Sequence, residues 1–334
     1  GLIETVNSNI ARIDYSSDAK GALLLEPQST NLITYSEDFS NAIYIKDSGV
    51  STGTTNNLSP KGNLSATKIN VTNNGRIYLN ANSATYVSSI FIKAGVFSYF
   101  RFNATDVDLV LKTISNGTIE EFKNGWFRIS VSYTGNRPFQ IQSYPNSSYS
   151  NHTTNGDYYI WGAQVEENSF STSYIPTLTG TTQTRVAETC GGAGSASSIN
   201  SEEGVLYADI SALGDGGVRM ISISDGSVNN QVSFEYSVIT NLIRIRLISE
   251  GVEQSFYQST SFDYLQYHKI AILYKLNNFK VFIDGNNVYT DTGSTMPINL
   301  NKLSFANGTN GTPFYANTKD LRVYNTALSD EELI

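Results

Sequence analysis

Apolar and polar residues alternate with a period of two along most of this chain, and helical periodicity is almost absent. The alternating runs are short, and clusters of Gly, Asn, Asp and Ser separate them. Such runs between turn residues are typical of half-buried β-strands. The clearest predicted strands are Tyr86–Lys93, Ser98–Phe102, Trp126–Tyr133, Tyr158–Val165, Val205–Ile210, Val218–Ser224, Gln231–Val238, Leu242–Ile248, His268–Tyr274 and Phe279–Ile283. The pattern predicts an all-β fold.

The length of 334 residues suits two domains better than one, since single domains usually hold about 100–150 residues. Residues 177–184 and 190–200 are nearly free of bulky apolar side chains, as in linkers and surface loops. We therefore predict two tandem antiparallel β-sandwiches with jelly-roll character. The expected segments are a lead-in at 1–20, a first domain at 21–180, a linker at 181–199 and a second domain at 200–334.

Charge argues against a nucleic-acid or membrane partner. The chain has 22 basic and 30 acidic residues, a net charge of -8, and no basic cluster that would displace counterions from phosphate. No run approaches the roughly 20 apolar residues of a membrane helix, and no secretion leader is recognisable. Neither nucleic-acid binding nor membrane insertion is expected.

The residues that usually carry catalysis are scarce. His152 and His268 are the only histidines and fall in different predicted domains, and Cys190 is the only cysteine. No Gly-x-Ser-x-Gly elbow and no Glu-x-Asp-x-x-Glu pair is present. We expect a protein that is not an enzyme and requires no cofactor.

Structural calcium is a separate expectation, because loops of β-sandwiches often bind Ca²⁺ through carboxylates and carbonyls. No loop has the regular acidic spacing of an EF-hand, and each carboxylate is more simply a solvated loop residue. The candidate ligands are Glu37, Asp38, Asp157, Asp215 and Asp225.

Two regions are candidates for ligand binding. Residues 140–152 form an expected polar loop in which Tyr144, Tyr149 and His152 lie among amides and hydroxyls, a combination that suits a neutral sugar. The alternative is a flexible loop without a ligand. Trp126 and Trp161 lie within predicted strands, where core packing is the simpler role.

The second region is Leu242–Ile248, whose alternation places Arg244 and Arg246 opposite the apolar side chains. A cross-strand ion pair of Glu235 with one of these arginines is one interpretation. The other is a basic strip, joined by Arg219, that binds an acidic polysaccharide.

Two sets of residues resemble known families. The first set closely resembles the carbohydrate-binding-module-like jelly rolls of bacteriophage tail and receptor-binding proteins over residues 11–190; it consists of Gly21–Leu32, Tyr35–Phe39, Gly125–Arg128, Trp161–Glu166 and Ser173–Thr177. The second set resembles the concanavalin A-like, laminin-G-type sandwich over residues 200–334; it consists of His268–Ile272, Phe279–Gly285 and Asp320–Glu332.

These resemblances imply an extracellular virion component of a phage tail or fibre that contacts the host. A cell-surface polysaccharide or glycan and other virion proteins are the implied partners, and a homotrimer is expected by analogy with phage fibres. Two alternatives stay open: a structural virion decoration that binds neighbouring subunits, and an accessory part of a polysaccharide depolymerase.

Overall fold

A computed structural model describes residues 3–333 except 5, 8, 17, 18, 55, 56 and 215. The chain divides into two compact units. Unit 1 holds residues 1–5 and 28–186, and unit 2 holds residues 6–27 and 187–334. Every paired strand is antiparallel, which confirms the predicted fold class.

The strands among the described residues are two to eleven residues long. In chain order they are β1 Ile13–Asp14, β2 Ala22–Leu24, β3 Ser29–Asn31, β4 Ile45–Lys46, β5 Val50–Gly53, β6 Thr67–Val71, β7 Arg76–Leu79, β8 Ala84–Ala94, β9 Tyr99–Phe102, β10 Thr105–Asp108, β11 Thr113–Ile114, β12 Thr118–Phe122, β13 Trp126–Gly135, β14 Phe139–Tyr144, β15 Gly156–Glu166, β16 Gln183–Arg185, β17 Glu203–Ala212, β18 Arg219–Ser224, β19 Gln231–Tyr236, β20 Ile243–Ser249, β21 Val252–Ser259, β22 His268–Lys275, β23 Phe279–Ile283, β24 Asn286–Asp291, β25 Lys302–Ser304 and β26 Ala316–Tyr324. The helical segments among the described residues are two 3-10 turns, Lys123–Gly125 and Asp330–Glu332.

Unit 1 is a sandwich of two six-stranded sheets. One sheet has the order β11-β10-β9-β14-β7-β4, the other has the order β12-β13-β8-β15-β6-β5, and β3 pairs separately with β16. Apolar side chains from both sheets meet between them, including the fully buried Ile90, Phe100, Phe102 and Ile141. Burying one face of each strand in this core is what fixes the pairing register.

Buried polar side chains tie the signature segments of unit 1 together. Asn31 is fully buried, and its amide nitrogen donates to the carbonyls of Ala163 at 3.1 Å and Ile175 at 2.8 Å. The carboxylate of buried Glu166 accepts hydrogen bonds from Ser29 Oγ at 2.5 Å and from Thr172 N at 3.0 Å. These motif residues therefore have a structural role, in which their buried hydrogen bonds hold the signature segments together.

The two tryptophans of unit 1 are also structural. Trp126 and Trp161 are both fully buried in a small cluster with Phe91 and Ala66. Their indole N–H groups donate to Leu58 O at 2.8 Å and to Ser65 Oγ at 2.9 Å. Core packing, the role expected from the sequence, is confirmed.

Unit 2 is a second sandwich, built from a seven-stranded and a five-stranded sheet. The orders are β1-β2-β26-β17-β22-β23-β24 and β21-β20-β19-β18-β25. Alternate residues of facing strands fill its core, as in β20, where Ile243, Ile245 and Leu247 are fully buried. All ten strands predicted from the alternation have counterparts in the two units.

Residues 6–27 differ from the predicted arrangement, in which residues 1–20 were a lead-in and the first domain began at 21. Strand β1 pairs with β2, and β2 pairs with β26, so this segment extends the seven-stranded sheet of unit 2. Arg12 fixes it further through ion pairs with Glu26 at 2.7 Å and Glu188 at 2.8 Å. Backbone pairing and this charge cluster place the segment in unit 2.

The C-terminal capping pattern forms a 3-10 turn. Ser329 N donates to the carboxylate of Glu332 at 2.8 Å, as expected from a capping box. Across the described residues, the helical turns are all too short to span a membrane.

Candidate functional site

The face of the β11-β10-β9-β14-β7-β4 sheet that points away from the core carries arginines, tyrosines and glutamines. Cross-strand register aligns Asp106 with Arg101, Arg101 with Gln142, and Gln142 with Arg76. Neighbouring rows pair Tyr99 with Tyr144 and Tyr78 with Gln140. We call this surface the arginine–tyrosine face; it consists of Arg76, Tyr78, Tyr99, Arg101, Gln140, Gln142, Tyr144 and Tyr149.

Arg101 lies near the centre of this face. Its Nε donates to Asp106 Oδ1 at 2.7 Å, and its guanidinium lies 5.4 Å from the ring centroid of Tyr144 and 5.7 Å from that of Tyr149. One carboxylate and two rings therefore fix the orientation of the fork. The side chain is 36% exposed, and its Nη1 lies 3.5 Å from Tyr144 Oη. Its Nη2 has no partner within the described part of the chain, so an incoming ligand can accept a hydrogen bond from it.

Arg76 and Tyr78 extend the face across β7. Arg76 Nε donates to Asp47 Oδ2 at 2.8 Å, and its guanidinium lies 5.7 Å from the Tyr78 ring centroid. Arg137 approaches the same ring at 4.5 Å and donates to Gln140 Oε1 at 3.3 Å. The face thus offers guanidinium donors, an amide and a half-buried ring side by side.

Two tyrosines of the face, Tyr144 and Tyr149, have a raised pKa and remain neutral well above physiological pH. Burial, followed by the nearby charges of Asp106 and Asp108, raises the pKa of Tyr149 to about 12. Burial also raises the pKa of Tyr144, against the opposing charge of Arg101. Both phenols can therefore donate as well as accept hydrogen bonds at neutral pH.

The structure corrects the loop expected at residues 140–152. Residues Phe139–Tyr144 form β14, because Phe139 and Ile141 are fully buried in the core and Gln140 and Gln142 alternate with them. Tyr144 is only 2% exposed, so its phenol ring supports its neighbours and does not stack openly on a ligand. Tyr149 is half-buried, with its ring 6.3 Å from that of Tyr99, and contributes to the surface.

His152 holds the loop that follows β14. Its Nε2 hydrogen bonds to the carbonyl of Ser143 at 2.9 Å, and its Nδ1 accepts from Thr154 N at 3.2 Å. This pattern requires the neutral tautomer with the proton on Nε2. Its ring packs 5.4 Å from that of Phe97. Both nitrogens are engaged, and the ring lies 6.1 Å from that of Tyr144, so His152 supports the packing of Tyr144. A ligand contact by His152 stays a prediction.

Sequence reasoning did not find Arg76, Tyr78, Tyr99 or Arg101. The available signal was alternation, since Phe100 and Phe102 are buried and therefore place Tyr99 and Arg101 on the opposite face. The sequence could not show which strands lie next to each other in the sheet. Strands β9, β14 and β7 are adjacent in the sheet but distant in the chain.

The predicted basic strip of unit 2 is mostly neutralised. Arg244 and Arg246 do share the outer face of β20, as expected. Arg244 pairs with Glu235, which is 8% exposed, at 3.0 Å, and Arg246 lies 3.6 Å from Glu253. The cross-strand ion pair is therefore the interpretation that the geometry favours.

Arg219 does not join this strip. In the register of the five-stranded sheet it aligns with Tyr236, and Tyr236 aligns with Ile243, both of which face the core. Arg219 is 4% exposed and donates to the carbonyls of Gly214 at 2.8 Å and Gly216 at 2.6 Å. Its position at the end of the core face makes it a loop-anchoring residue.

Within the described ranges, no group of three or more His, Cys, Asp or Glu residues could hold a metal ion, so no cluster of ligands supports the calcium prediction. Asp157 pairs with Lys68 at 2.8 Å, Glu37 accepts from Tyr174 at 3.1 Å and Asp38 accepts from Ser40 N at 3.0 Å. Asp225 accepts from Ser227 N at 2.8 Å. Asp215 lies outside the described residues.

Comparison with known proteins bears on the fold. A family described as the Concanavalin A-like lectin/glucanases superfamily matches residues 209–334, so this part of unit 2 is similar to that superfamily. No curated protein sequence matches the chain.

Three solved structures illustrate the weaker likenesses. The CBM40 of a Ruminococcus gnavus sialidase is 15% identical over 43% of this chain and 91% of its own, with a TM-score of 0.35. A putative carbohydrate-binding protein from Bacteroides ovatus is 9% identical over 80% and 78%, with a TM-score of 0.33. Domains LG4-5 of the mouse laminin alpha1 chain are 11% identical over 77% and 89%, with a TM-score of 0.30. Likenesses this distant do not identify a ligand.

Proposed function

We propose that this protein is a non-catalytic glycan-binding component and that the arginine–tyrosine face of unit 1 holds the glycan. The observation that carries the proposal is the arrangement around Arg101, whose oriented and partly exposed guanidinium lies beside the rings of Tyr144 and Tyr149. Oriented donors supply directional hydrogen bonds to sugar hydroxyls, and the half-buried ring of Tyr149 offers apolar surface to a pyranose.

The balance of charge on this face favours a neutral or weakly charged sugar. Arg101 is compensated by Asp106 and Arg76 by Asp47. A strongly anionic polymer would meet these carboxylates at close range, at an electrostatic cost. Hydroxyl groups can use both partners at once, because they accept from arginine and donate to carboxylate.

A non-catalytic role agrees with the state of the two histidines. His268 contacts Asp284 Oδ2 through Nδ1 at 2.6 Å and the carbonyl of Asp263 through Nε2 at 3.0 Å. His152 likewise uses both nitrogens. Neither imidazole has a nitrogen available to activate a nucleophile, which general base catalysis requires.

The biological setting is part of the proposal. The signature segments of unit 1 resemble those of phage tail proteins, and on that basis we infer an extracellular virion component that binds a host-surface glycan and neighbouring tail proteins. A homotrimeric state and structural calcium belong to the same inference. Sedimentation of the purified chain, with and without a chelator, tests both.

The function is tested by applying the purified full chain to an array of bacterial surface glycans and to host cells. We expect binding to at least one glycan that is retained in Lys61→Ala, an exposed position of unit 1 outside the face, and lost in Arg101→Ala. Retention in Arg244→Ala and Arg246→Ala would exclude the five-stranded sheet as the binding surface.

Three outcomes would contradict the proposal. Absence of any glycan or cell binding, together with association with other tail proteins, would favour a structural decoration. Release of reducing or unsaturated ends from a host polysaccharide would reveal an enzyme. An array on which Arg101→Ala still binds every glycan that wild type binds would place the site elsewhere.

A further inference from the structure

A groove of about 720 Å³ lies on the outer face of the seven-stranded sheet of unit 2, within the range of about 300–1,000 Å³ typical of ligand sites. Register explains it, because Ala271 lies between Tyr207 on one neighbouring strand and Phe282 on the other. Ala271 and Phe282 are buried and form the floor of the groove, and the half-buried Tyr207 lies at its side. Leu328, Glu332 and Leu333 of the C-terminal segment also line the groove.

Rings and an arginine line one side. Tyr207 and Tyr324 are half-buried, and the guanidinium of Arg322 lies 5.8 Å from the Tyr207 ring centroid and donates to Tyr324 Oη at 3.4 Å. Asp320 fixes the same guanidinium at 2.6 Å. This side of the groove therefore presents aromatic surface held in place by charge.

Asp209 lies at the end of the groove, two residues along β17 from Tyr207 and on the same face. Its carboxylate is half-buried, and it accepts no hydrogen bond from the residues that the structure describes. Burial raises the pKa of Asp209. The charges of Lys319 and Lys269 oppose this rise, and those of Asp320 and Asp284 add to it. Hydrogen-bond donors of a bound ligand would stabilise a carboxylate in this position.

The other carboxylates of the groove are engaged. Asp284 contacts His268 at 2.6 Å and accepts from Lys269 N at 2.9 Å, while Glu332 accepts from Ser329 N at 2.8 Å. The groove is lined by three acidic and two basic side chains, so it does not suit a polyanion. A neutral ligand with several hydroxyl groups matches one unpaired acceptor beside aromatic surface.

We propose that this groove is a second carbohydrate-binding site, which takes a short neutral saccharide stacked beside Tyr207 with its hydroxyls donating to Asp209. It is separate from the arginine–tyrosine face and does not depend on it. The protein would then hold glycan at one site in each unit.

The test uses the full chain carrying Arg101→Ala, so that the unit 1 face is impaired, and saturation-transfer NMR against the trisaccharides of glucose, galactose, mannose and N-acetylglucosamine. We expect at least one to bind. Isothermal titration should then show that Asp209→Ala and Tyr207→Ala each weaken the affinity about tenfold or more. For Asp209→Ala, this is the loss expected when one hydrogen bond to a charged group is removed. Glu253→Gln, an exposed carboxylate of the five-stranded sheet, is the matched control and should bind normally.

Binding of none of the four saccharides by the Arg101→Ala chain would overturn the proposal, as would binding that both groove variants retain. Preferential binding of polygalacturonate would also refute it, because the groove would then select anions. Failure at the unit 1 face appears separately, on the glycan array, when Arg101→Ala loses none of the glycans that wild type binds. Thermal melts of each variant identify any loss that is due to unfolding.

Discussion

Asn31 offers the most quantitative test of how unit 1 is held together. Its side chain is fully buried and takes part in four hydrogen bonds. The amide donates to the carbonyls of Ala163 and Ile175, and its oxygen accepts from the backbone N–H groups of Ile33 at 3.1 Å and Val165 at 3.2 Å. One residue thereby joins the start of unit 1 to two segments that follow it by 132 and 144 residues.

The substitution Asn31→Ala removes all four bonds and leaves two donors and two acceptors buried. A buried group without a partner costs about 1–3 kcal/mol, and partial relaxation or water entry lowers the sum. We expect the free energy of unfolding to fall by about 3–5 kcal/mol. For a unit of this size, each kcal/mol corresponds to about 2–4 °C in Tm, so a decrease on the order of 10 °C follows.

Differential scanning calorimetry and urea titration measure this change. Thr30→Ala is the matched control. Within the described part of the chain, the side chain of Thr30 makes one hydrogen bond, an exposed one to Thr184 at 2.7 Å, and its loss should cost about 0.5 kcal/mol or less. If Asn31→Ala costs no more than Thr30→Ala, the clamp does not stabilise unit 1 and the structural interpretation of the signature segments is wrong.

Two further predictions concern unit 2. Arg244→Met should lower the free energy of unfolding by about 2 kcal/mol, because it leaves Glu235 buried without its partner, and adding Glu235→Gln should restore most of the loss in a urea-based double-mutant cycle; additive effects would show that the pair does not interact. Asp209→Asn should stabilise the protein at pH 7. Burial raises the carboxyl pKa in the folded state, so the ionised group weakens folding as pH rises through that pKa, and the gain should vanish as pH falls below the unfolded value of 3.8. A gain of the same size at pH 3.5 and pH 7 would contradict this assignment.

The fold could be predicted because its strongest signal is local. Strand β20 illustrates this: the alternation of Ile243, Arg244 and Ile245 alone fixes which side chains are buried. Strand β14 was missed because its polar positions and the following Asn- and Ser-rich residues resemble a loop, and only pairing with β7 and β9 makes it a strand. The apolar–polar pattern of one segment does not show which other segments pair with it.

The candidate site was harder to predict for the same reason. Tyr144 and Tyr149 were found from composition, but Arg101, which orients them, lies about forty residues earlier and is brought there by sheet order. Arg219 was placed on the wrong face although it alternates in phase with the buried Ile221 and Ile223, which assigns it to the core face. The lead-in segment joined unit 2 through β2–β26 pairing, which its short strands did not reveal.

The central claim is that the arginine–tyrosine face binds glycan through the fork of Arg101. Isothermal titration of the glycan identified on the array, against wild type, Arg101→Ala and Arg101→Lys, tests it most directly. We predict an affinity loss of about tenfold or more for alanine and a partial loss for lysine, which keeps the charge but not the planar fork, with the Tm of both variants near that of wild type. Equal affinities for the three proteins would contradict the claim.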